Sequence, residues 1–125
     1  MIARFCTLIF FCCPFSALAG EVKLLMFEEA GCVWCVKWND EISAIYPKTQ
    51  EGRTAPLHRL DIRDEISDTI ALKSKPFYTP TFIVIDDGAE VGRIEGYPGE
   101  DFFWGLLNRI LKPLPEFQSA KGASS

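Results

Sequence analysis

Gly31-Cys32-Val33-Trp34-Cys35 stands directly after the apolar run Val22-Lys23-Leu24-Leu25-Met26-Phe27 and the short polar link Glu28-Glu29-Ala30. The apolar run suits a buried strand, and Gly31 permits the tight turn that follows one. From there Cys35, Trp38, Ile42 and Ile45 recur at helical spacing until Pro47. The spacing predicts an amphipathic helix that begins at the cysteines. Both sulfurs then fall on one face of its first turn, where they close a disulfide with little motion. The free N–H groups and partial positive charge of a helix start favour a thiolate at Cys32, which makes it the attacking nucleophile. Cys35, one turn further on the apolar seam, is the shielded resolving thiol.

Outward from this point the chain alternates. A polar connection over 48–55 leads to a second strand at 56–62, and Asp64 is placed to cap a short helix through about Leu72. Phe82-Ile83-Val84-Ile85 is a third, wholly apolar strand. Asp86-Asp87-Gly88 supplies hairpin chemistry, and 89–94 returns as a fourth strand. Pro98-Gly99-Glu100-Asp101 opens a last helix with acids at its positive end, Phe103, Leu106, Leu107 and Ile110 on one face, and Lys112-Pro113 as its stop. Residues 113–125, small and polar without periodicity, read as a loose tail. Strands joined through helices form a parallel pair by right-handed crossover, and the hairpin adds antiparallel edge strands. The expected architecture is α/β: a mixed four-stranded sheet, a parallel βαβ unit plus an antiparallel hairpin, flanked by helices.

The first nineteen residues differ from the rest. Arg4 is their only charge, residues 5–18 are apolar apart from Thr7 and Ser16, and Ala17-Leu18-Ala19 matches the small-residue pattern of a signal peptidase site. Residues 1–19 are therefore read as a cleavable signal peptide and 20–112 as the folded domain. An uncleaved membrane anchor is the alternative. Removal of the leader takes away Cys6, Cys12 and Cys13 and leaves Cys32 and Cys35 as the only thiols. A structural disulfide in an oxidising compartment gains its effect from a long loop, and two intervening residues offer little of that. Tetrahedral zinc wants four ligands, and beyond these thiols the remaining chain has one histidine, His58. Without Arg4 the balance is 12 basic against 17 acidic residues, a net charge of −5 that speaks against nucleic acid.

Gly31-Cys32-Val33-Trp34-Cys35, then Tyr78-Thr79-Pro80-Thr81-Phe82, then Gly88 and Gly96 before a terminal helix, resemble the thioredoxin superfamily over nearly all of 22–111. The resemblance implies the thioredoxin fold and a thiol-disulfide oxidoreductase whose redox centre is the Cys32–Cys35 disulfide itself, with no further cofactor and no metal. It implies a cis Thr79–Pro80 bond beside the cysteines, leaving the Thr79 backbone open to a substrate strand. Val33, Trp34, Thr79 and Pro80 are the implied substrate-binding residues. Two departures stand out: Val33-Trp34 between the cysteines in place of glycine and proline, and Met26 where thioredoxins bury an aspartate. Glu28 and Glu29 are the acids near enough to replace that proton relay, although solvated surface positions suit them better. Trp38 and Trp104 read as core, and His58 receives no catalytic role.

Strong oxidants of the Dsb type carry a helical insertion and a histidine between the cysteines, and the related isomerases add a dimerisation domain. This chain has neither, which leaves a periplasmic reductant, soluble after signal cleavage and expected to be a monomer. Phe27-Glu28-Glu29-Ala30-Gly31-Cys32 is most similar to the thioredoxins encoded with bacterial sulfur-oxidation (Sox) systems. That likeness implies protein thiols and disulfides as partners, a sulfur-carrier protein among them, and recharging by a membrane electron donor of the CcdA/DsbD type. A reductant for cytochrome c maturation is the alternative within this class. A binding module with a local cysteine clip, displaying Trp34 and Phe77-Tyr78, is the alternative outside it. On this reading the exported protein begins at Gly20. Intact-mass measurement on the periplasmic fraction checks it, and a mass that includes Met1 refutes it.

Overall fold

The computed structural model describes residues 20–122; the expected leader, its cut before Gly20 and the last three residues of the expected tail lie outside or at the edge of them. Four strands form one sheet in the order β2-β1-β3-β4. β1 (Val22–Glu28) runs parallel to β2 (Leu57–Asp61), pairing Leu24 with Leu57 through Glu28 with Asp61. β3 (Thr81–Asp86) lies antiparallel to β1, with Phe27 opposite Thr81 and Val22 opposite Asp86. β4 (Ala89–Glu95) returns from β3 as a hairpin. Asp87 and Gly88 both take positive φ, 50° and 84°, as the two central residues of a tight hairpin turn require. The mixed sheet is as expected, with one change: β3 sits inside the sheet, and of the hairpin only β4 is an edge strand.

The first face of the sheet carries Leu24, Met26, Phe82, Val84 and Ile94, and two helical layers bury it. One is α1 (Val33–Trp38), which continues as a π-helical turn over Asn39–Ser43 and a 3-10 turn over Tyr46–Lys48. A π turn holds more residues than an α turn and so shifts the phase of whatever follows. Ile42 stays buried, but Ile45 swings out to 43% exposure and Tyr46 takes the inward place at 1%. The second layer is α3 (Glu100–Leu111), which buries Phe103 and Leu107 as its spacing predicts, leaves the expected Leu106 and Ile110 partly buried, and buries Leu111 as well.

The structure corrects three expectations. The polar connection before β2 holds a short helix, α2 (Gln50–Thr54), capped by the Thr49 hydroxyl, which accepts from the Gly52 N–H at 3.0 Å. The tail is not loose over its first part: α4 (Pro115–Gly122) docks through Phe117, 7% exposed, and the Gln50 side-chain amide donates to the Phe117 carbonyl at 2.9 Å. One aromatic anchor leaves no periodicity to read.

The third correction concerns the helix expected from Asp64 to Leu72, which is an irregular loop. Its local polar groups bond elsewhere: the Asp61 carboxylate accepts from the backbone N–H and side chain of Arg63, which pull its pKa down to about 2, and the Ser67 hydroxyl accepts from the Thr69 N–H. Such bonds compete with helix formation. At Ala71 the chain is extended, because its N–H and C=O bond to Gly88 and Glu90 at the edge of β4. Ile66, Ile70 and Leu72 still do the work a helix would have done, packing on Leu25, Phe27, Ile83 and Ile85 of the second face.

At the end of β3 the Asp86 carboxyl has a buried oxygen, Oδ1, without a hydrogen-bond partner among the described residues. Burial first, then the neighbouring Glu116 and Asp87 carboxylates, push its pKa above the ordinary aspartate range. The folded state thus holds this proton more tightly than the unfolded chain, so the group supports folding at low pH and opposes it as pH rises through the raised value. In the chain that retains residues 1–19, so that no α-ammonium at Gly20 faces the carboxyl, Asp86→Asn is expected to stabilise the protein by about 0.5 kcal/mol at pH 7 after allowance for solvent screening, a gain that shrinks toward pH 4. Urea unfolding across that range is the check, and an equal effect at both ends contradicts the assignment.

Candidate redox site

β1 ends at Glu28, Gly31 turns the chain with a φ of 83°, and Cys32 caps α1 in extended conformation. Its sulfur accepts a hydrogen bond from the Cys35 N–H at 3.1 Å, and its carbonyl accepts from the Val36 N–H at 3.2 Å. Cys32 and Cys35 form a disulfide with their Cα atoms 5.2 Å apart. Cys32 is the more accessible of the two, 8% against 3%. Cys35 packs into the apolar core with Trp38 and Ile42, the seam that the sequence predicts.

Thr79–Pro80 is cis. The Thr79 hydroxyl donates to Glu29 Oε1 at 2.9 Å, while the Glu29 carbonyl accepts the Cys32 N–H at 3.3 Å. One residue thereby joins the proline turn to the cysteine turn. Among the described residues neither backbone group of Thr79 has a partner, whereas the Pro80 carbonyl accepts from the Gly96 N–H at 2.7 Å. Around this centre Val33, Trp34, Phe77 and Tyr78 are all exposed. Val33 and Trp34 lie between the cysteines, and Phe77 and Tyr78 precede the cis bond in sequence.

Met26 is wholly buried, so no carboxyl occupies the place that the resemblance leads one to inspect. Neither nearby acid replaces it. Glu29 is exposed and engaged with Thr79, and Glu28 is paired at 2.6 Å with Arg59, which the sequence reading passed over. The Arg59 guanidinium also donates to Asn39 Oδ1 at 2.8 Å and Ser43 Oγ at 3.0 Å, approaches the Met26 sulfur at 3.5 Å, and lies 5.7 Å from the Trp38 ring centre. A signal for it exists in the sequence: strand alternation gives Arg59 the same face as Leu57, which packs on the core. Tyr97 and Glu41, also passed over, meet in a 2.8 Å hydrogen bond. Burial, reinforced by Glu41, raises the Tyr97 pKa and keeps the hydroxyl a neutral donor. His58 is exposed on β2, Trp38 is core, and Trp104 is half-buried with its ring stacked on Tyr46. Among the described residues no three of His, Cys, Asp or Glu gather as a metal site, and no helix is long and apolar enough to cross a membrane.

No protein-family model matches the chain. No curated protein matches it either. Among solved structures it is similar to the crystal structure of the periplasmic thioredoxin SoxS from Paracoccus pantotrophus in its reduced form. The two are 48% identical, superpose with a TM-score of 0.72, and align over 74% of this chain and 97% of that one.

The Arg59 fork ties β2 to the helical segment that follows the cysteines. Arg59→Ala is expected to cost about 1–2 kcal/mol in urea unfolding, the range for charge-assisted bonds with partial exposure. Arg59→Lys should recover less than half, since an ammonium cannot reach Glu28, Asn39 and Ser43 together. Full recovery by lysine would show that only the charge matters.

Proposed function

Since the chain belongs to the thioredoxin family and is a thiol-disulfide oxidoreductase with its redox centre at Cys32–Cys35, we propose that it works as a periplasmic reductant of a cysteine on a partner protein. The observation that carries the direction of attack is the Cys35 N–H aimed at the Cys32 sulfur, the more accessible of the two. In the reduced chain that N–H stabilises a Cys32 thiolate. The thiolate attacks one sulfur of the partner's disulfide or sulfur adduct; a Cys32–partner S–S bond forms as the old one breaks, and its electron pair leaves on the departing sulfur. Cys35 gives up its proton to that departing thiolate, since Met26 offers no base beneath it. The Cys35 thiolate then attacks Cys32 Sγ, closes the Cys32–Cys35 disulfide and frees the partner's second thiolate, which takes a proton from water. Two electrons pass to the partner, and a membrane donor of the CcdA/DsbD type returns two to the disulfide.

Val33, Trp34, Thr79 and Pro80 bind the partner: the first two as apolar contact, Thr79 through its unpaired backbone groups, which accept an extended segment as an added strand. Likeness to SoxS and the Phe27–Cys32 match support a Sox sulfur-carrier cysteine as the target. Cys35→Ser removes the second step. Expressed in the native periplasm, it is expected to accumulate a mixed disulfide with a sulfur-carrier protein, released by dithiothreitol and identified by mass spectrometry. Cys32→Ser is expected to accumulate none. A cytochrome-maturation protein in the adduct would redirect the target, a broad spread of secretory proteins would overturn the specific-reductant reading, and no adduct at all would remove the covalent mechanism.

A further inference from the structure

A row of polar contacts that the exchange chemistry does not use runs across the site from one partner-facing element to the other. The Lys37 ammonium lies 5.4 Å from the Trp34 ring centre and 3.9 Å from Glu41 Oε1. The other Glu41 oxygen accepts the Tyr97 hydroxyl at 2.8 Å. Tyr97 follows Gly96, whose N–H holds the Pro80 carbonyl at 2.7 Å. Its ring is 7% exposed and lies 6.2 Å from that of Phe103, so it is a fixed point in the core.

We propose that Lys37, Glu41 and Tyr97 are positioning residues that set affinity for protein partners, by holding the Trp34 ring in one orientation in register with the Pro80 turn. This rests on the reading of Trp34 and Pro80 as partner contacts. Trp34 is 54% exposed, and a free indole in water samples several rotamers that binding would have to select. A cation over the ring limits them. Lys37, 52% exposed, would itself wander without its carboxylate, and Glu41 is held by the buried tyrosine. Order passes outward from the core to the contact ring. A rigid aromatic at a binding surface loses little freedom on association, so the benefit falls on binding and not on the sulfur exchange. A small disulfide that touches the sulfurs alone gains nothing from it.

The test uses the pre-reduced full chain in single turnover against two probes, insulin as a protein disulfide and glutathione disulfide as a small one. Tyr97→Phe keeps the ring and drops the hydroxyl; Lys37→Met keeps the length and drops the charge. Each is expected to raise the half-saturating insulin concentration about three- to fivefold at an unchanged limiting rate, and to leave the glutathione disulfide rate within twofold. Acrylamide quenching of Trp34 fluorescence should rise in both, and the rise should vanish in a Trp34→Phe background. Variants that match the parent on both probes, or that slow both equally, overturn the proposal while leaving the reductant reading intact. A parent chain that reduces glutathione disulfide but shows no saturable reduction of insulin overturns the proposal and leaves the reductant reading intact, and one that reduces neither overturns both.

Discussion

Trp38 is where the redox helix is made fast. Its ring is wholly buried, 5.2 Å from Phe82 of β3, 5.8 Å from Phe103 of α3 and 6.3 Å from Tyr46, centre to centre. Phe82 and Phe103 also meet each other edge-on at 5.0 Å, so the three aromatics form a closed cluster. Such pairs contribute about 0.5–1.5 kcal/mol each beyond the area they bury. The cluster joins β3, α3 and the helix that starts at the cysteines. Cys35 lies three residues before Trp38 on the same helical face. Its depth in the core, and hence the difference in access between the two sulfurs, follows from where the Trp38 ring is held. Phe82, one of the rings holding it, is two residues from Pro80, so the same contact also sets the distance between the cysteine turn and the proline turn.

The parts of the fold legible in the sequence are those governed by burial on a regular element. β1 from Leu24 to Phe27 and β3 from Phe82 to Ile85 are covered on both faces and read as unbroken apolar runs. α3 buries Phe103 and Leu107 at the spacing its sequence displays. What escaped is governed by single tertiary contacts. Phe117 is the one buried apolar side chain that α4 shows among the described residues, and a single anchor has no period. In the loop after β2, Ile66, Ile70 and Leu72 carry enough apolar surface to cover a sheet face, but Ala71 bonds to the β4 edge as extended chain. A pairing partner seventeen or more residues away is invisible to a local reading. The π turn after Trp38 exchanges Ile45 for Tyr46 at the core for the same reason: the phase slip is set by the packing of Trp38 and Arg59, not by residues 39–43 alone.

The site divides along the same line. The Cys32–Cys35 disulfide was legible because the spacing of the two cysteines carries its own chemistry, whereas the cis Thr79–Pro80 bond was expected only through the family resemblance. Arg59, Glu41 and Tyr97 belong to no motif; they become partners only when β2, the π turn and the strand following the proline turn are brought together. A charged residue on the inward face of a strand was the one trace of them. Arg59 fits the general pattern of an arginine at a partly buried site, with its stem on apolar surface and its fork spent on several acceptors.

The absence of an acid at Met26 shifts the weight of the chemistry onto the backbone. Among the described residues no buried side chain of the core is charged, and Met26 beneath the cysteines is wholly buried, so the interior there is a medium of low polarity. A charge there is expensive unless hydrogen-bonded. On the proposed mechanism the thiolate therefore belongs at Cys32, where the Cys35 N–H already points at the sulfur, and not at Cys35, which has no such donor beside it. Cys35 must lose its proton only when a sulfur to attack is in place and a thiolate has just been released nearby. An apolar bed then acts as a timing device. On the proposed mechanism it disfavours charge on the resolving thiol until the mixed disulfide exists, which would give the covalent complex with a partner a finite lifetime in which contacts at Trp34 and the proline turn count.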